Sequence, residues 1–120
     1  MTLSISTQVS PIGTKLIVDT SANATAKNSV TGSAGTIYMI DVDNELNTSA
    51  SYFKIYDTAT VTVGTTVPDY VFKIPSSQRR CIAIPEGLDF TNLSCACTTT
   101  GGTAGTTGPT NAVTVRMVTT

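Results

Sequence analysis

Apolar and polar residues alternate with a period of two along most of this chain. Leu3 and Ile5 alternate with Ser4 and Ser6, as in a half-buried strand. Leu16, Ile17 and Val18 form a short apolar run that suits a second strand. Residues 36–43 (TIYMIDVD) are strongly β-prone and lead into a polar turn at residues 44–47. Across residues 52–56 the alternation buries Phe53 and Ile55 and exposes Lys54. Residues 60–63 set Val61 and Val63 on one face, and residues 70–74 set Tyr70, Phe72 and Ile74 on one face with Lys73 on the other. Residues 81–84 bury Ile82 and Ile84, and residues 93–99 bring Leu93, Cys95 and Cys97 together. Residues 111–118 alternate Val113, Val115 and Met117 against Thr114 and Arg116.

Gly64, Pro68, Pro75-Ser76-Ser77, Pro85-Glu86-Gly87 and Gly101-Gly102 lie between these runs, and all are turn chemistry. Roughly seven to nine short strands at this spacing predict an all-β sandwich or barrel. The chain reads as one domain over residues 1–120, with residues 1–10 an extended arm or an edge strand. Two stretches break the pattern. Residues 21–35 are small and polar with almost nothing to bury, though their Ala content permits a short helix, and residues 98–110 have no apolar anchor. Each reads as a flexible connection or as a surface arm that orders on a neighbour.

Composition sharpens this picture. The 120 residues include 24 Thr and 11 Ser, and β-branched Thr favours a pleated surface. Only 12% of residues are charged and the net charge is −1, with seven Lys and Arg scattered along the chain. A nucleic-acid partner is therefore not expected, since phosphate neutralisation takes clustered cations. No apolar run approaches the ~20 residues that cross a bilayer. The first ten residues alternate instead of forming a charged start and an apolar stretch, so a signal peptide is not expected. Folding in cytosol is the expectation, and three Cys, an odd number, do not form a disulfide framework.

Candidate chemistry is sparse. There is no His, which removes the usual neutral-pH base and the commonest metal ligand. Cys95 and Cys97 share a strand face and Cys81 stands apart; buried packing is the expected role, with metal or redox work and a disulfide as alternatives. Asp41, Asp43 and Glu45 form the one acidic cluster, expected as a solvated strand end and turn, not a calcium site. Asp57, Asp69, Glu86 and Asp89 are the carboxylates to weigh for glycosidase chemistry, and the setting of the first three suits turns. Arg79 and Arg80 either clamp a carboxylate at an interface or act as solvated gatekeepers beside a strand. Tyr38, Tyr52, Tyr56 and Tyr70 suit core or edge packing better than a sugar platform. The glycan-acceptor triplets at Asn23, Asn47 and Asn92 are expected by chance in so hydroxyl-rich a chain. No enzyme, metal or cofactor is expected from these residues.

From Tyr52 onward the chain reads YFKIYD, GTTVPDYVFKIP, IPEGLDF, LSCACTTT and NAVTVRMV. This C-terminal two thirds resembles a family of small tailed-bacteriophage virion proteins. The resemblance implies a head-decoration (cement) protein with an antiparallel jelly-roll-like β-sandwich, located on the virion head surface. The implied partners are the major capsid protein and further copies of the chain itself, as a trimer or dimer. Leu3, Ile5, Lys27, Asn28, Arg79, Arg80, Thr103 and Thr106 are the expected capsid or subunit contacts. The alternative is a carbohydrate- or receptor-binding module of a tail or head fibre.

Overall fold

The computed structural model describes residues 13–120. Leu3 and Ile5, with the expected N-terminal arm, lie outside the described residues. Seven strands follow one another: β1 (Lys15–Ala22), β2 (Gly35–Asp43), β3 (Ser51–Asp57), β4 (Tyr70–Ile74), β5 (Arg79–Phe90), β6 (Leu93–Thr98) and β7 (Val113–Thr119). Among the described residues there is no helix, as the β-branched composition predicts.

The strands form two antiparallel sheets, one of order β1-β7-β2-β5 and one of order β4-β3-β6. Every strand pairing among the described residues is antiparallel, and alternation decides which side chains meet. In the four-stranded sheet Ile17, Met117, Ile40 and Ile82 lie side by side. In the three-stranded sheet Phe53 lies between Phe72 and Cys97, and Ile55 lies beside Cys95. These inward rows join in one apolar cluster with Ile37, Val42, Ile74, Leu93, Val113 and Val115. Burying a Val, Leu, Ile or Phe side chain is worth about 1.5–3 kcal/mol relative to exposure, so this shared interior holds the two sheets together. β7 shows the underlying pattern most plainly, with Val113, Val115 and Met117 buried and the intervening residues only partly so.

At the level of the strands and the sheet faces the structure corrects three expectations. Residues 60–63 are not a strand: Thr65 and Thr66 N–H both donate to the Thr62 carbonyl, and Gly64 takes a left-handed φ of 94°. That turn folds Val61 back onto Tyr56 and Ala96. Pro85-Glu86-Gly87 is not a strand-ending turn but lies inside β5, where four residues (84–87) stand opposite the single residue Tyr38. Pro is tolerated there because β5 is an edge strand and the excursion frees its position from the ladder. Third, Lys54 is fully buried, at 0% exposure, because loops cover the outer face of the three-stranded sheet.

Candidate functional site

The covering of that outer face is the most distinctive part of the molecule. Tyr52, Lys54 and Tyr56 of β3 point outward beside Thr98, Ala96 and Ser94 of β6. An outward sheet face is usually solvated in an antiparallel fold. Here Tyr56 and Ala96 are buried with Val61, and Ala26 and Val63 pack against them. Three connections supply this roof: residues 23–34, 58–69 and 99–112.

Backbone bonds pin the first of these to the edge of β6. Lys27 and Cys95 exchange two bonds of 2.8 and 3.0 Å, Cys97 N–H donates to Asn23, and Val30 N–H donates to Leu93. Asn28 Oδ1 accepts from Val61 N–H at 3.1 Å. Ser94 sews two connections together: its hydroxyl accepts from Ser29 N–H and donates to the Thr58 carbonyl. The third connection is closed at its neck, where Thr99 N–H donates to the Thr107 carbonyl at 2.8 Å. Gly101 lies against the Tyr52 ring and Gly108 against Ala24, each leaving only 3.1 Å for an added Cβ. The two hydroxyl-rich stretches are therefore anchored, not free. Composition hid this because the anchoring groups are backbone amides, which every residue carries.

Beside the roof, at one end of the sandwich, three turns meet in a buried amide network. Asn44 donates from Nδ2 to the Ser49 and Pro75 carbonyls, both at 3.1 Å, and accepts at Oδ1 from Asn47 and Ser51. Asn47 exchanges two bonds with the Asn111 backbone, at 2.8 and 3.0 Å. Over it opens a hollow of about 120 Å³ lined by Asn47, Ser49, Ser51, Thr99, Thr110 and Asn111 among others. Nothing in the sequence singled out this network, although Asn at turn positions is its signal. Asn47, one of the three glycan-acceptor positions, is buried within it.

The expected contact residues fall on different parts of the molecule. Lys27 and Asn28 lie on the first roof connection and Thr103 and Thr106 on the third, with Thr106 seated over Gly64. Lys27 is also ion-paired with Asp19 at 3.0 Å. Arg79 and Arg80 stand apart on β5 of the other sheet. Arg79 clamps a carboxylate of its own chain: Nε and Nη2 both reach Asp41, at 3.0 and 2.5 Å. That fork, joined by the charge of Arg116, holds the Asp41 carboxyl below its ordinary value despite burial. Asp41 is thus buried, where a solvated strand end was expected.

The remaining candidates have structural work. Asp57 accepts from Thr91 and Asn92 N–H, at 2.9 and 2.8 Å, fixing the two-residue corner between the sheets. Asp69 accepts from Asp57 N–H at 2.6 Å. Cys95 and Cys97 are buried, and burial pushes both thiols up to about 12; Cys81, expected in the core, is exposed on the outer face of β5. Tyr56 is buried and Tyr70 exposed, so the four tyrosines form no common platform. Among the described residues no three His, Cys, Asp or Glu side chains converge on a metal position. The arrangement offers fixed hydroxyls, amides and carbonyls. Comparison with protein-family models, curated proteins and solved structures finds no match to this chain.

Proposed function

We propose that this chain is a virion structural protein of the head-decoration type, which binds coat subunits of a phage capsid and stabilises the shell. The observation that carries this reading is the anchored roof. Two hydroxyl-rich stretches that could have been mobile are held by backbone bonds on a double-sheet scaffold. A surface whose backbone is already ordered before binding avoids the loop-ordering part of the cost of association. It also meets a partner with little charge to desolvate. Lys27, Asn28, Thr103 and Thr106 are the proposed contacts on this surface, and the major capsid protein is the proposed partner. Arg79 is committed to Asp41, which leaves Arg80 as the freer cation of that pair. Self-association into a symmetric oligomer fits the same role, and a jelly-roll topology is the finer fold reading.

The test is co-sedimentation of the purified protein with expanded phage capsids that lack it. Saturable binding that Thr106→Arg and Asn28→Arg weaken is the expected result. Capsids left bare at saturating protein overturn the reading. The hollow over Asn47 favours a second reading, a carbohydrate-binding module. At about 120 Å³ it falls below the ~300–1,000 Å³ of ordinary ligand pockets and holds at most the tip of a sugar. Glycan-array binding without capsid binding would select that reading.

A further inference from the structure

The two sheets present four outer edges, and three of them are blunted. The edge of β6 is occupied by residues 23–30 through the bonds at Asn23, Lys27 and Val30. β5 carries Arg79, Arg80, Pro85 and Glu86 and bulges at residues 84–87, which are the devices that keep an edge from pairing. β4 places exposed Lys73 beside Val71. Pairing β4 with its own copy about Phe72 would set that lysine against a valine. β1 differs. Its inner neighbour is β7, no described strand lies on its other side, and it exposes Leu16 at 64% and Val18 at 47%.

We infer that β1 is the self-association edge of this protein, pairing antiparallel with β1 of a second copy about a two-fold axis at Ile17. The residues are self-complementary in that register. Lys15 of one copy stands opposite Asp19 of the other, and Leu16 stands opposite Val18, each pair occurring twice by symmetry. Side chains directly opposite in an antiparallel pair share a face, so the apolar pairs lie on the outer face and the ion pairs flank Ile17. An isologous contact must satisfy itself in this way, and a like-charged or mixed edge does not. The register irregularity between Asp19 and Ala22 confines regular pairing to residues 15–19, the same five residues that match. Asp19 already holds Lys27 at 3.0 Å, and a carboxylate has lone pairs for a second cation. The outcome is one eight-stranded sheet running through two molecules.

This inference concerns the free protein and stands independently of capsid adhesion. Sedimentation velocity of the full chain over a concentration series tests it. The expected result is a concentration-dependent rise from the 12.5 kDa monomer mass to twice that value. Val18→Lys should weaken the association at least about tenfold, since it removes an apolar pair and adds a buried-edge charge at two symmetric places. Lys15→Glu and Asp19→Lys should each weaken self-association alone, because like charges then face each other. Mixed in equal amounts they should restore a heterodimer, in which every facing pair is again of opposite sign. A chain that stays monomeric throughout overturns the inference. So does association unaffected by Val18→Lys, or a mixture no stronger than its components.

Discussion

Lys54 sits with Nζ sealed from solvent and without a hydrogen-bond partner. Burial disfavours its charged form and draws its titration below the ordinary 10.5, an effect that the nearby Cys97 only partly offsets. An unsatisfied buried polar group costs about 1–3 kcal/mol, so Lys54→Met should raise stability by about that amount in urea unfolding near neutral pH. The folded chain gives up this proton more readily than the unfolded chain. Wild-type stability therefore gains as pH rises from the lowered folded value to 10.5, and the advantage of the variant shrinks over that window. Parallel stability curves for the two proteins would contradict the burial of Nζ. Cys95 and Cys97 act in the opposite direction. Their folded values near 12 lie above the ordinary 9.0, so their contribution is complete below pH 9 and is lost as pH climbs through that range. Comparing the two proteins cancels this effect. Asp41 contributes on the acid side: its lowered value gives stability that is present above 3.8 and lost as pH falls through the folded value. Asp41→Asn should be the less stable protein at neutral pH, and the difference should close under acid in a pH-dependent unfolding series. Strand alternation made Phe53 and Ile55 legible as core residues. It misplaced Lys54 because the cover over Lys54 comes from residues far away in sequence.

The strands themselves were largely readable. β7, β6 and the start of β3 follow a period of two with one face in the shared interior, and that period survives whatever the loops do. β5 was cut short in sequence reading because Pro85 and Gly87 usually punctuate. In the fold, Gly87 instead takes a left-handed φ of 80°, and an added Cβ would meet the Thr36 methyl at 2.3 Å. Gly87→Ala should therefore cost about 1–3 kcal/mol through backbone strain, seen as a lower denaturation midpoint. The amide network is the other element-level device. It joins the β2–β3 turn, the β4–β5 turn and the segment entering β7, since Asn47 bonds Asn44 and Asn111 while its carbonyl accepts from Ser77 N–H. Asn47→Ala strands several of these groups and should destabilise the protein by about 2–4 kcal/mol, whereas Thr48 substitutions should leave the midpoint nearly unchanged. Such networks are hard to read in sequence because their residues, spaced by 3 and 64 positions, meet only after the sheets close.

Taken whole, the molecule is a double sheet that spends its hydroxyl-rich stretches on fixing its own surface. It combines low charge, an interior shared by both sheets and a smaller buried cluster under the roof. The fold class was legible because it depends on alternation; the roof was not, because backbone amides pin it. The rigidity of that roof underlies the decoration reading, and amide hydrogen exchange on the free protein tests it most directly. The N–H groups of Lys27, Val30, Cys97 and Thr99, each bonded across the roof, should exchange slowly, within the range of the strands they join. Exchange at the rate of an unstructured peptide at Lys27, Val30 and Thr99, with β3 and β7 still protected, would contradict the account.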